Sequence, residues 1–162
     1  MFVPRGFKAA RITMKNRLGM FAIVLWAITV GIFGWFLIKG YTTTGSDKRR
    51  QILLAPAEKD MVLGEMRTML AALNGILTSL AENDPKQAAQ AARSAGMGMA
   101  VDVSPALMAK LPGDFKMLGM STHKQFDEFA AKLENDMPAK EAMQMMANLT
   151  SKCVACHQGN RF

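Results

Sequence analysis

The sequence predicts an all-α protein in which a single transmembrane helix precedes a four-helix bundle. One uncharged apolar run of 21 residues, from Leu18 to Ile38, is long enough to span a bilayer as a helix. From residue 57 onward, apolar residues recur at the three-four spacing of helical faces, without sustained alternation of period two. A chain of 162 residues has room for this membrane segment and one hydrophobic core.

The apolar run predicts a transmembrane helix at residues 18–39. As a helix, 21 residues extend about 31 Å, which matches the hydrocarbon core of a membrane. A cleavable signal peptide also begins basic and turns apolar, but its apolar part is usually about 7 to 15 residues long. The following residues, KGYTTTGSDKRR, lack a clear small-x-small cleavage site. We therefore favour an uncleaved anchor.

The charge distribution predicts the orientation of this anchor. Residues 1–50 carry nine Lys/Arg and one Asp, whereas residues 51–162 carry eleven Lys/Arg and twelve Asp/Glu. A basic segment at residues 1–17 precedes the span without an acid, which favours a cytoplasmic N-terminus; its basic residues are Arg5, Lys8, Arg11, Lys15 and Arg17. The near-neutral remainder lacks the electrostatic footprint of a nucleic-acid-binding protein, so we expect no nucleic acid as a partner.

Residues 40–56 are rich in Thr, Gly and charged residues and predict a flexible tether with an r.m.s. reach of about 22 Å. The bundle follows at residues 57–162. Its first predicted helix covers residues 57–81, and the second begins at Pro85 with Asp84 as its cap and ends near Gly96. The first helix has one apolar face, formed by Val62, Met66, Met69, Leu70, Leu73, Ile76, Leu77 and Leu80.

Residues 98–119 hold several helix breakers and predict a long connection with a short turn of helix. The third helix is expected to be capped by Ser121 or Thr122 and to end near Asn135. Pro138 opens the fourth helix, which runs to about Gln158. Apolar and cysteine side chains repeat on one of its faces: Ala142, Met145, Met146, Leu149, Cys153 and Cys156.

Both cysteines of the chain lie in Cys153-Val-Ala-Cys156-His157, the C-x-x-C-H pattern that attaches a c-type haem. The two thiols add across the two vinyl groups of one porphyrin, and the adjacent His157 becomes an axial ligand of the iron. A thiol-disulfide couple favours a βαβ context that the sequence lacks. A zinc site needs two more ligands, whereas the chain offers one other histidine, His123, and no other cysteine. One covalent haem is therefore the expected cofactor.

The motif lies near the end of the last of four predicted helices, and Arg161 follows the histidine of the motif by four residues. In these features the chain resembles the cytochrome c-prime family. The resemblance covers about residues 55–162. The segment LPGDF at residues 111–115 is similar to a leucine-proline-phenylalanine region of that family. The family usually has an aromatic residue just before the arginine, whereas this chain has Asn160.

The haem of such a bundle lies where the fourth helix faces the first. Besides the axial ligands, the expected haem pocket consists of Met69, Leu70, Leu73, Met146, Leu149 and Arg161.

The resemblance leaves two registers for the residue opposite His157. In the family that residue lies on the first helix, four places after a common Arg, and is often followed by a basic residue. Met66 keeps the following Arg67 but puts Val62 at the place of the Arg. Alternatively, Arg67 is that Arg and Ala71 lies over the iron in an open pocket. We prefer Met66, with Met69 as its substitute, because a thioether is a good axial ligand for haem iron.

The other candidate ligands are expected to have structural roles. The chain contains 15 methionines, most of which must fill the core. Met143, Met145 and Met146 are therefore expected to pack around the porphyrin. His123 has polar neighbours and is expected at the surface or as a cap, with bis-histidine ligation as the minor alternative.

These observations predict a membrane-anchored periplasmic monohaem cytochrome that carries single electrons between respiratory or photosynthetic membrane complexes or other cytochromes. Bacterial c-type attachment takes place on the periplasmic side of the inner membrane, which agrees with the charge distribution. No catalytic carboxylate pair, nucleophile with base or phosphate loop is apparent, so we do not expect an enzyme. The resemblance also implies an alternative function, the binding of nitric oxide by five-coordinate haem. Homodimers are common in the family, so the resemblance implies a homodimer as one oligomeric state. A haem subunit of a larger membrane complex is a further alternative.

Overall fold

The computed structural model describes residues 14–162, with side-chain surroundings for residues 17–100 and 103–162. The protein is 76% helical, and the described residues form six α-helices. The helices are α1 (Met14–Lys39), α2 (Pro56–Ala81), α3 (Pro85–Arg93), α4 (Pro105–Lys110), α5 (Gly113–Leu133) and α6 (Ala139–Gly159). A 3₁₀-helix covers Met97–Asp102, and three short strands are β1 (Thr42–Thr44), β2 (Arg50–Ile52) and β3 (Asn160–Arg161).

Helix α1 contains the predicted membrane span. From Arg17 to Lys39 it is long and apolar enough to cross a bilayer, by length and composition. None of its side chains from residue 18 to 33 is buried, as expected for a surface that lipid would cover. The basic segment predicted at residues 1–17 lies outside the described residues except for its last few positions.

The segment predicted as a flexible tether, residues 40–56, is folded instead. Strands β1 and β2 form an antiparallel hairpin that pairs Thr42 with Ile52, and β2 pairs in parallel with β3 at the other end of the chain. The sheet order is β1-β2-β3. The expectation of flexible coil was wrong because β2 is stabilised by hydrogen bonds to residues more than 100 positions away, which local composition does not reveal.

The last turn of α1 belongs to the same compact unit as residues 40–162. Lys116 Nζ on α5 donates a hydrogen bond to the main-chain oxygen of Leu37 at 2.9 Å, and the Tyr41 amide donates one to Lys110 O at 2.7 Å. Helix α1 thus ends in direct contact with the corner between α4 and α5. We call residues 36–41 the neck of the protein.

Gly40 allows this close packing. Its φ of +65° lies in the left-handed region, and a Cβ on it would lie 2.5 Å from Pro112 N and 2.6 Å from Lys110 O. Both atoms belong to the backbone, so they cannot move aside as a flexible side chain would. The neck therefore requires glycine at this position.

We expect Gly40→Ala to destabilise the protein by about 2 kcal/mol because it adds both backbone strain and an overlap. The melting temperature of the full chain in detergent should fall by about 4–8 °C. Gly119→Ala is the matched control: this residue lies inside α5 with no atom near its Cβ position, so alanine should stabilise it slightly. Equal melting temperatures for Gly40→Ala and wild type would contradict this packing of the neck.

Local sequence signals define the starts of α2 and α3. Glu58 Oε2 accepts a hydrogen bond from the Ala55 amide, and Pro56 occupies the first position of α2. At the start of α3, Asp84 Oδ1 accepts from the Gln87 amide, with Pro85 in the first position. The predicted cap and first residue of this helix are therefore confirmed.

The predicted start of the third bundle helix was wrong. Helix α5 begins at Gly113, eight residues before Ser121, and Thr122 donates to Leu118 O inside the helix rather than capping it. Pro112 precedes the first turn, where it costs no hydrogen bond, and the acid Asp114 in that turn complements the helix dipole. Proline at a helix start and a tolerated internal glycine were thus mistaken for a connection.

Four helices contribute to one main core, and α3 packs against both α2 and α5 while α5 packs against α6. The buried apolar residues of this main core are Ala72, Leu73, Ile76, Ala88, Ala89, Ala92, Ala95, Phe126, Phe129, Ala130, Leu133, Ala142, Met146 and Leu149. The alanines of α3 let the neighbouring helices approach closely. A second, smaller core of Ile52, Val62, Leu107 and Leu111 connects the sheet to α2 and α4, and Met66, Phe115 and Phe162 pack against it.

Candidate functional site

A cavity of about 320 Å³ lies next to the second core, where α2 faces the C-terminal end of α6. It brings together Cys156 and His157 of the cysteine-histidine motif, the preferred methionine and three basic side chains, whereas Cys153 does not line it. The lining residues are Arg49, Lys59, Leu63, Met66, Phe115, Cys156, His157, Asn160, Arg161 and Phe162.

Helix α2 contributes three residues of one helical face to the cavity. Lys59, Leu63 and Met66 follow each other at spacings of four and three, so their side chains lie above one another. Met66 is partly buried against the second core. Ala71, the alternative residue over the iron, is exposed and does not line the cavity. The positions on α2 thus favour Met66 over Ala71, and they add Leu63 as a second residue on the same side.

Helix α6 carries the two thiols and the histidine in its last turns. Cys153 and Cys156 are free and half-buried, and burial raises the pKa of both thiols. A catalytic thiol-disulfide couple needs the opposite shift, because the thiolate is its nucleophile. The His157 side chain is exposed and lines the cavity, one residue after Cys156. This environment argues against the thiol-disulfide alternative.

The basic side chains give the cavity a site for an anionic group. Arg161 Nε is buried and has no hydrogen-bond partner among the described residues, while its Nη1 lies 3.2 Å from Ser46 Oγ and 3.4 Å from Asp47 Oδ2. An unsatisfied buried donor of this kind is costly unless a ligand completes it. Lys59 and Arg49 line the same cavity. The residues present therefore fit a group that combines a flat apolar body with carboxylates, as a haem does with its propionates.

The hairpin reaches the end of α6 through its own basic residues. Arg50 Nε and Nη2 donate to Asn160 Oδ1 at 2.9 and 2.7 Å, and Arg50 also pairs with Asp114 at 2.8 Å. Asp47 accepts from Arg49, which lowers the pKa of this carboxyl to about 2. Asn160, the residue found in place of an aromatic one, thus has a structural contact with β2.

The structure separates the predicted haem-pocket residues into three groups. Arg161 lines the cavity as expected. Leu73, Met146 and Leu149 are buried in the main core, and Met69 packs against that core, so none of these four predicted pocket residues lines the cavity. Leu70 is 67% exposed, so its assignment to the pocket was wrong. The helical period placed Leu70 near the apolar face, but it lies at the edge that faces solvent.

The expectation for His123 was also wrong. This side chain is 5% exposed, and its Nδ1 lies 2.8 Å from Ala95 O. Because a carbonyl oxygen only accepts, Nδ1 carries the proton in this contact. His123 lines a second cavity of about 70 Å³ together with Glu65, whose carboxyl pKa is raised by burial. His123 does not line the cavity that contains His157, so bis-histidine ligation is not favoured.

Sequence reasoning missed several lining residues. Lys59 and Leu63 could have been found, because they precede Met66 at helical spacing. Phe115 lies in the LPGDF segment, and the ring of Phe162 packs against it edge-to-face at 5.9 Å between centroids. Nothing in the local sequence indicated Arg49, which reaches the cavity through the fold of the hairpin.

No group of three or more His, Cys, Asp and Glu side chains that could hold a metal ion occurs among the described residues. A haem iron needs less from the protein, since the porphyrin supplies four ligands and side chains supply the axial ones. The chain matches no protein-family model, no curated protein and no solved structure. Its resemblance to the cytochrome c-prime family therefore depends on the residues and motifs named above.

Proposed function

We propose that the protein is a membrane-anchored monohaem c-type cytochrome that carries single electrons. In this proposal residues 56–162 form a four-helix bundle around one haem, which is attached through Cys153 and Cys156. His157 and Met66 would be the side chains that bind its iron. The haem supplies one-electron chemistry by cycling between ferric and ferrous iron, and the protein holds the group, excludes water from it and sets its potential.

The observation that carries this proposal is the meeting of Met66, Cys156 and His157 at one cavity. The two helices that provide them are separated by more than 50 residues of sequence. The buried Arg161 Nε supports the same assignment, because a propionate would give this donor its missing acceptor. The apolar residues Leu63, Phe115 and Phe162 would cover the porphyrin.

One observation favours gas binding as a second candidate function. Leu63 lines the same cavity one turn before Met66. If Leu63 rather than Met66 lies over the iron, the iron is five-coordinate and open to nitric oxide or carbon monoxide. The two candidates differ in a single ligand, so the coordination of the iron distinguishes them.

The folded neck is relevant to how the protein would meet its redox partner. An anchored carrier that moves between partners would need a flexible linker. Here the Lys116 side chain and the Lys110 carbonyl oxygen form hydrogen bonds with residues 37 and 41, which hold these residues against the domain. Phe115, next to Lys116, lines the cavity. The proposed partner is a membrane redox complex, because α1 would anchor this protein in the same membrane. This arrangement supports permanent association with such a complex as strongly as exchange between complexes or with other cytochromes.

We place the haem domain in the periplasm of a bacterium, with α1 in the inner membrane and the N-terminus in the cytoplasm. The basic residues before the span support this orientation. The attachment of c-type haem outside the cytoplasm supports it independently.

Optical spectroscopy of the purified full chain tests the proposal. We expect a low-spin spectrum in both oxidation states, a methionine-to-iron charge-transfer band in the ferric state and little change when carbon monoxide is added to the ferrous protein. High-spin iron that binds carbon monoxide readily would favour the gas-binding candidate. A chain expressed with the c-type attachment machinery that contains no haem would contradict both.

A further inference from the structure

One arginine side chain of the hairpin forms hydrogen bonds with the main chain at and just after the cysteine-histidine motif. Arg49 Nη1 lies 2.9 Å from the carbonyl oxygen of His157 and 3.4 Å from that of Asn160. The His157 carbonyl belongs to the last turn of α6, where a helix leaves four carbonyls without intrahelical partners. A cation at this end also interacts favourably with the helix dipole. Arg49 therefore caps α6 from outside the helix.

Asp47 holds this arginine in place. Its Oδ2 lies 2.7 Å from Arg49 Nε and 2.6 Å from Arg49 Nη2, and its Oδ1 accepts from the Arg49 main-chain amide at 3.1 Å. Two of the three guanidinium nitrogens are thus engaged by one carboxylate. The third points to His157, so the side chain has little freedom to turn away.

We propose that Arg49 is a positioning residue of the haem site, which holds His157 by its main chain and places a positive charge beside the proximal ligand. The inference rests on the proposed function and extends it to the hairpin, which sequence reasoning treated as a tether. Because β1 begins at Thr42, directly after the neck, the segment that joins the anchor to the domain also contributes to the reduction potential.

The sign of the effect follows from electrostatics. Reduction adds one electron to the haem, so a nearby cation stabilises the ferrous form and raises the potential. Loss of the Arg49 cation should lower the potential. Loss of the Asp47 anion should raise it. Asp47 also pairs with Arg161 at 3.4 Å, so its loss leaves two cations near the cavity without this anion. A purely structural contribution through the Asp47–Arg49 contact would instead shift both variants in the same direction.

The experiment measures the potentials of the full-length haem protein and its variants by spectroelectrochemical titration in detergent. We expect Arg49→Gln to shift the equilibrium between ferric and ferrous haem about tenfold toward the ferric form. For a one-electron couple this lowers the reduction potential by about 59 mV. Asp47→Asn should shift it in the opposite direction. Arg93→Gln is the matched control, since Arg93 pairs with Glu134 in the same way but does not line the cavity. Its equilibrium should stay within about twofold of wild type.

Two further measurements separate local unfolding from the proposed role. Hydrogen-deuterium exchange of residues 42–52 reports whether the hairpin stays folded in each variant. Arg49→Lys keeps the charge, so it should retain the wild-type potential within about threefold even where the hairpin loosens. A potential that Arg49→Lys lowers as much as Arg49→Gln would overturn the role of the charge.

Equal potentials for Arg49→Gln and wild type, in a protein that carries its covalent haem, would overturn this inference and leave the proposed function intact. Shifts of the same sign in Arg49→Gln and Asp47→Asn would also overturn it. A wild-type chain without covalent haem would overturn the proposed function, and this inference with it.

Discussion

Double replacement of Cys153 and Cys156 by alanine is expected to abolish covalent attachment of haem. A thioether forms when the S–H bond of a cysteine adds across a vinyl group, and the chain has no third cysteine to substitute. On a denaturing gel, haem stain should remain with the wild-type chain and be absent from the double variant. The single variants should keep a reduced amount, since one thioether still holds the porphyrin.

The number of reactive thiols tests haem attachment independently. The unfolded wild-type protein should show no reactive thiol when haem is attached and two when it is expressed without haem. Met143→Ala is a control: contrary to the expectation that it packs around the porphyrin, this residue of α6 is exposed and lies outside the cavity, so its loss should not affect attachment. Haem that remains bound to the denatured double variant would contradict the assignment. A wild-type chain that contains no haem and has a mass lower by two hydrogen atoms than the reduced chain would establish a disulfide between the two cysteines instead.

The elements with strong local signals were predicted well. Asp84 and Pro85 define the start of α3 because the cap and the fixed φ of proline act within a few residues. The apolar period of α2 and α6 gave their bounds to within one or two residues. The period also placed Met66 on the face of α2 that lines a cavity with Cys156 and His157.

The elements that depend on distant partners were not predicted. Strand β2 is three residues long and pairs Arg50 with Asn160, a contact that no sequence window contains. His123 has polar neighbours in sequence but is buried against Ala95 O, so tertiary packing outweighed local polarity. The basic lining of the cavity has the same origin: Arg49 reaches His157 from 108 positions away. Helical period therefore predicted Met66 among the apolar residues of the cavity, whereas the charged lining depends on non-local contacts.

Met66→Leu is expected to convert a low-spin iron into a high-spin, five-coordinate one. Leucine has nearly the volume of methionine, so the substitution should cost less than about 1.5 kcal/mol and leave the bundle folded. It removes the sulfur, which is the ligand atom. We expect the charge-transfer band to disappear and the ferrous protein to bind carbon monoxide. The potential should fall, because the thioether stabilises ferrous iron.

Two matched variants show which residue lies over the iron. Met69→Leu makes the same chemical change one turn along α2, where the side chain packs against the main core rather than the cavity. Its spectrum should equal that of wild type. Leu63→Ala opens the cavity without removing a ligand, so the iron should stay low-spin. A wild-type spectrum for Met66→Leu, combined with loss of the band in Met69→Leu, would transfer the ligand to Met69. High-spin iron in the wild type, with carbon monoxide binding altered by Leu63→Ala, would instead establish the gas-binding candidate, because the distal residue would then be apolar.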